Sequence, residues 1–145
     1  MRILSLDLGT KTGYAHSDGG SGVWNLSPKR HESQGMRWRK FRQHLNDMLK
    51  TVDFVAYESV ARHLGTHAAH IYGGLVAILQ EMCEERRIDY MGVPVGTIKK
   101  YICGRGNGSK QDVINAVKGR GHNPLDHNHA DALALLYYTI ENLGG

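Results

Sequence analysis

Short runs of apolar residues, each closed by glycine, proline or a polar cluster, occupy the first third of the chain. Ile3-Leu4-Ser5-Leu6-Asp7 reads as a buried strand, Gly13-Tyr14-Ala15-His16-Ser17 as its neighbour and Gly22-Val23-Trp24-Asn25-Leu26 as a third. Gly9 and Gly13 punctuate the first connection, Asp18-Gly19-Gly20 is a hairpin signal, and Ser27-Pro28 ends the pattern. The period then changes: between Gln34 and Thr51, Trp38, Phe41, Leu45, Met48 and Leu49 recur at helical spacing, with the arginines and lysines largely on the opposite face. Phe54 to Glu58 is a fourth strand. Thr66 to Arg87 is a long helix with two apolar rows, one of Ile71, Leu75, Ile78 and Met82, the other of Tyr72, Val76, Leu79 and Cys83. So wide a face predicts burial on two sides, against the sheet and against a second body, for which a symmetric copy of the same helix is the candidate. Ile88 to Gly92 is a fifth strand. Helices follow at Val95 to Ile102, from the cap Ser109 through Val117, and from about Asp126 to Leu143, with Gly104 to Gly108 as a flexible loop. Early antiparallel pairing and later crossovers give an α/β fold, a mixed five-stranded sheet with helices on both faces.

A length of 145 residues fits one domain over the whole chain, and apolar and charged fractions of 41% and 22% are those of an ordinary globular protein. No apolar stretch approaches a membrane span and the N-terminus lacks a secretory pattern, so no membrane association and a cytoplasmic location are expected. Cys83 and Cys103 have neither zinc-site spacing nor a disulfide framework and are expected as reduced thiols.

Charge adds two features. The net charge of +4 favours a polyanionic partner, and its distribution is uneven: Arg37, Arg39, Lys40 and Arg42 cluster in one segment, while Lys99, Lys100, Arg105, Lys110, Lys118 and Arg120 surround the glycine-rich stretch. Three carboxylates, by contrast, are embedded in apolar runs: Asp7 closing the first strand, Glu58 closing the fourth, and Asp131 inside Ala130-Asp131-Ala132-Leu133-Ala134. A carboxylate buried alone costs several kcal/mol, so three of them call for a shared compensator, and a divalent cation is the simplest. That chemistry is metal-assisted phosphoryl transfer.

The same segments resemble the RuvC-type Holliday-junction resolvases of the RNase H-like superfamily, and phage-encoded relatives more than the longer cellular enzymes. Four blocks carry the likeness in order: Ile3 to Gly9 with Thr12-Gly13-Tyr14-Ala15; Ala56-Tyr57-Glu58-Ser59-Val60; Val93-Pro94 through Ile98-Lys99-Lys100 with the glycine loop and Ser109-Lys110-Gln111; and Asn128 to Ala134. The resemblance implies a metal-dependent, structure-selective endonuclease that nicks branched DNA by two-metal hydrolysis and leaves 5′-phosphate ends. It implies Asp7, Glu58 and Asp131 as ligands of two Mg²⁺ or Mn²⁺ ions. Lys110 and one of Lys99 and Lys100 become phosphate contacts, with Arg105 in the same basic rim, and Lys110 also stabilises transition-state charge. Two symmetric cuts in a four-way junction imply a homodimer, with helix 66–87 as its interface.

Two positions depart from the family's pattern. The family has Asp or His three residues before the equivalent of Asp131, where this chain has Asn128; the amide of Asn128 or the ring of His127 is the candidate fourth ligand. A neutral fourth ligand leads to the expectation that Mn²⁺ supports activity better than Mg²⁺. An aromatic residue that stacks at the junction centre in cellular relatives is here Ala61, with Tyr72 and Tyr101 as other stacking candidates. Three other functions compete. Asp7-Leu8-Gly9-Thr10 also resembles the phosphate loop of sugar-kinase, chaperone and actin ATPases, which need two such lobes. An RNA-processing nuclease of the same superfamily and a non-catalytic branched-DNA-binding module are the other two.

Overall fold

Alternation along the first and fourth strands decides which side chains share a face. In β1 (Ile3–Asp7), Leu4 and Leu6 point to one side of the sheet, Ile3, Ser5 and Asp7 to the other. In β4 (Phe54–Ser59), Val55 and Tyr57 join the first side, Ala56 and Glu58 the second. β4 runs parallel to β1 with Ser5 opposite Ala56 and Leu6 opposite Tyr57, so Asp7 and Glu58 emerge beside each other on one face. The computed structural model describes residues 1–63 and 65–143.

β2 (Lys11–His16) pairs antiparallel with β1, and β3 (Ser21–Asn25) antiparallel with β2; β5 (Asp89–Pro94) extends the other edge parallel to β4. The order β3-β2-β1-β4-β5 makes the mixed five-stranded sheet the sequence predicts. β2 starts two residues earlier than the apolar pattern suggests, because Lys11 and Thr12 already pair with Asn25 and Trp24, and the Thr12 hydroxyl donates to Gly9 O at 2.7 Å to tighten the turn. β5 reaches to Pro94, whose missing N–H is tolerated on an edge strand.

Helices cover both faces. α1 (Gly35–Leu49) and α2 (Thr66–Glu85) pack on the Leu4, Leu6 and Val55 side, around a core that includes Phe41, Leu45, Leu75 and Leu79. α3 (Val95–Cys103), α4 (Lys110–Gly119) and α5 (His127–Asn142) pack on the other side with Ile3, Ala15 and Ala56. Both apolar rows of α2 belong to the first of these cores: Tyr72, Val76 and Ile78 pack against it beside Ile71, Leu75, Leu79, Met82 and Cys83. Within one chain the sheet and α1 bury Ile71, Leu75, Leu79, Met82 and Cys83, while Tyr72, Val76 and Ile78 stay partly exposed and Gly73 and Ala77 are exposed on the outer side of α2. Gly74 sits in the α1–α2 contact, where a Cβ would meet the Trp38 ring at 2.6 Å.

The glycine-rich segment after α3 is exposed from Gly104 to Asn107 and anchored at its two ends. Gly104 ends α3 in the left-handed region at φ 83° and Gly108 is buried against Cys103. Ser109 caps α4 in a reciprocal capping box with Asp112. Both cysteines are free thiols. Among the described residues no helix is long and apolar enough to cross a membrane.

Candidate metal centre

Small residues bring the third carboxylate in. Where α5 crosses the sheet it meets Gly13, Ser5, Ala15 and Ala56, and it contributes Ala130 and Ala134 to the contact. The approach is closest at Gly13, where a Cβ would lie 1.9 Å from the Asn128 carbonyl oxygen. Gly13 faces Asp7 across the β1–β2 pair. Only glycine at position 13 therefore lets the first turn of α5 settle next to Asp7.

Two further devices fix that turn. The Asp126 carboxylate caps α5 by accepting the His129 N–H at 2.9 Å. His129 is buried; its Nδ1 accepts from Leu125 N at 3.0 Å, so its Nε2 carries the proton and donates to Ser21 Oγ at 2.8 Å. His129 thus ties α5 to the edge strand β3. On the opposite side of the sheet, Tyr72 Oη donates to Glu58 O at 2.9 Å and accepts from Val60 N at 3.1 Å, which pins the end of β4.

The result is one cluster: Asp7, Glu58 and Asp131, each half-buried, present oxygens that all lie within 4.8 Å of one another. Among the described residues no other group of three His, Cys, Asp or Glu side chains converges in this way. Burial first, then the charges of Glu58 and Asp131, lifts the Asp7 carboxyl well above the usual carboxylate range. Burial also raises Glu58, against the opposing effects of its hydrogen bond with Asp7 and of Lys99. Asp131 is pushed up to about 7, by burial and then by Glu58, with Lys99 and Lys110 pulling it down. Three mutually repelling oxygen donors with no bonded cationic side chain suit a hard divalent ion, which removes both the repulsion and the unsolvated charge.

The remaining candidates divide. Lys99 and Lys110 stand close enough for their charges to act on Asp131, and Lys99 also acts on Glu58. Lys100, one position along α3, is exposed. Arg105 is exposed and forms an ion pair with Asp112 at 2.7 Å. Asn128 lies three residues before Asp131 on α5, with its backbone over Gly13 beside Asp7. His127 is half-buried and outside the carboxylate cluster; burial and the charge of Lys110 lower its pKa. Ala61 is exposed. The Tyr72 ring packs against His63 at 4.9 Å and Tyr101 packs edge-on to Tyr138 at 5.7 Å.

Sequence reasoning misses the parts played by Gly13, His129 and the Tyr72 hydroxyl. Each acts through a partner distant along the chain; the only local hint is that Gly13 interrupts an otherwise regular strand.

No family model matches the sequence and no curated protein matches it. Solved structures do match. RuvC of T. thermophilus, determined in complex with a Holliday junction substrate, superposes with a TM-score of 0.76 at 20% identity over 92% of this chain and 89% of that one. A Thermus thermophilus RuvC structure gives 0.72 at 18% identity, over 99% and 97%. The yeast mitochondrial Holliday junction resolvase Ydc2 gives 0.56 at 15% identity, over 92% and 75%. The chain therefore has the RNase H-like α/β fold that these RuvC-type resolvases share.

Proposed function

We propose that the protein is a divalent-metal-dependent endonuclease that nicks branched DNA, four-way junctions above all, and leaves 5′-phosphate ends. The observation that carries the reading is the convergence of Asp7, Glu58 and Asp131 within 4.8 Å on the scaffold of a RuvC solved with a junction bound. Asp7, Glu58 and Asp131 hold the ions, Mg²⁺ or Mn²⁺, and the Asn128 amide completes the set from the first turn of α5. When bound, such ions stabilise negative charge developing on the phosphodiester and acidify an attacking water. The chain's own part is positioning and charge balance. β1 and β4 hold two carboxylates rigidly side by side, and α5 sets the third against them. Lys99 and Lys110 offset the charge of the approaching phosphate.

A junction is resolved by two cuts on opposed strands, which one site cannot deliver together. A two-fold dimer supplies both, and the outer side of α2, with Gly73 and Ala77 exposed, allows two copies of that helix to approach closely.

The test is incision of end-labelled four-way junction, flap, linear duplex and structured RNA, each with Mg²⁺ or Mn²⁺. The junction should be nicked at symmetric positions on opposed strands, DNA ligase should seal the nicks, duplex should stay intact, and Mn²⁺ should act at lower concentration than Mg²⁺. Structured RNA or linear duplex cut as fast as the junction would overturn the reading.

A further inference from the structure

A second anion site lies, we infer, at the N-terminus of α1, where Arg37 and the open first turn of the helix grip a backbone phosphate of a bound DNA arm. The inference rests on the branched-DNA reading above and adds a contact remote from the carboxylates. Arg37 is only 7% exposed, because it continues the buried stripe of Phe41, Leu45 and Leu49 along α1. Among the described residues it forms no ion pair. Its one hydrogen bond runs from Nη1 to the Gln34 side-chain oxygen at 2.9 Å, and its Nε is enclosed with no partner. Since Gln34 is the N-cap residue, that bond turns the guanidinium back over the start of the helix.

A buried guanidinium ordinarily has a carboxylate to balance it. Here it sits instead at the positive end of a helix dipole, in a first turn with no acidic residue and no side-chain cap. The Met36 and Arg37 amides are taken up by Ser33 O and Gln34 O, at 3.1 and 3.2 Å, whereas those of Gln34 and Gly35 donate to no described group. Glu32, the nearest acid in sequence, is already engaged: it accepts from Lys29 N at 2.7 Å and from Lys40 Nζ at 2.8 Å. Lys29 and Arg30 are exposed on the preceding turn. The enclosed Nε cannot reach a ligand, but Nη2 is unbonded and not enclosed. Together with the two open amides, the helix N-terminus and the excess of positive charge, it calls for one anion with several acceptor oxygens, which a phosphodiester supplies.

Its place in the fold suits a DNA arm. Leu26 N donates to Thr10 O at 2.8 Å, which sets the segment leading to α1 beside the turn that follows Asp7. The α1 terminus therefore lies toward the sheet end that carries the carboxylates, but on the other face. A strand cut at the carboxylates can continue past that end toward Arg37.

Junction binding in EDTA, measured by fluorescence anisotropy over a range of salt, tests the site with Arg37→Met and Gln34→Glu. The first keeps the aliphatic stem and removes the charge. The second is isosteric, lies on the surface, and hands the guanidinium a carboxylate of its own. Each should weaken binding about five- to tenfold and reduce the slope of log K against log salt by about 0.9, the loss of one phosphate contact. Neither should lower the melting temperature, as the loss of a purely structural arginine would. Unchanged affinity and slope for Gln34→Glu overturn the site, whether or not Arg37→Met folds. A wild type that cleaves junctions while both variants bind as it does sinks this site alone, and a wild type that binds no DNA sinks both readings. Normal wild-type binding without cleavage retracts the nuclease reading and leaves the phosphate site to be judged by the same slopes.

Discussion

Asp131→Asn is expected to make the metal-free protein more stable at pH 8 while it removes most of the cleavage activity. In the folded, metal-free chain Asp131 keeps its proton up to about pH 7, against an ordinary value of 3.8. A group whose pKa is raised by folding stabilises the fold fully below its unfolded pKa, and that contribution is lost as pH rises through the folded one. Between about pH 4 and 7 the metal-free wild type therefore gives up stability on this account. The displacement corresponds to roughly 4 kcal/mol as an upper bound, and because Glu58 and Asp7 share the same repulsion a net gain of about 2 kcal/mol is a fair expectation for the variant. In a chain of this size that raises the melting temperature at pH 8 by roughly 5 °C. Thermal melts in EDTA at pH 5 and pH 8 read it directly: wild type should lose stability between the two, and Asp131→Asn should lose less. Added Mn²⁺ should rescue wild type more at pH 8 than at pH 5 and do little for the variant. A melting temperature lowered by the substitution at pH 8 would mean that the carboxylates do not repel as described.

Gly13→Ala acts on the same site by geometry alone. Its methyl would sit 1.9 Å from the Asn128 carbonyl oxygen, and both groups are backbone-fixed, so α5 must lift by more than an ångström. Overpacking of this kind destabilises by about 1–3 kcal/mol. Displacing Asn128 and Asp131 by that distance relative to Asp7 should cost about a hundredfold in cleavage rate. The informative comparison is Gly22→Ala, a β3 glycine whose added methyl would meet the Tyr14 side chain at 3.1 Å rather than a backbone carbonyl. It should leave cleavage close to wild type. Equal losses from both variants at a temperature where both are folded would remove Gly13 from its positioning role.

The strands and two of the three carboxylates, Asp7 and Glu58, were legible because period-2 alternation assigns faces without reference to anything distant, while Asp131 stood out as the one charge in an apolar helical run. Asp7 follows Ile3 and Ser5, Glu58 follows Ala56, and parallel pairing then places them together. The Asp126 cap has an equally local signal, a short polar residue after Pro124-Leu125 at the helix start. Facing across elements was harder to read. Lys99 and Lys100 are adjacent in sequence but about 100° apart on a helix, and it is the charge of Lys99 that acts on Asp131 and Glu58. Both apolar rows of α2 pack on the one core, with Tyr72, Val76 and Ile78 left partly exposed within a single chain. Arg37 counted as one of a charged set, although it stands four residues before Phe41 on the buried stripe. That spacing was the available signal, and the charge of the residue hid it. The Gly13–Asn128 contact joins positions more than a hundred residues apart, which no local pattern encodes.

The most direct measurement is the rate of junction nicking as Mn²⁺ is titrated, for wild type and for Asp7→Asn. Wild-type nicking should rise from zero in EDTA to saturation, and Asp7→Asn should stay at least about a thousandfold slower at every concentration, a loss of roughly 4 kcal/mol of transition-state stabilisation. Nicking that persists in EDTA, or an Asp7→Asn protein that cuts at the wild-type rate, would contradict the assignment of Asp7, Glu58 and Asp131 as the metal-binding catalytic centre.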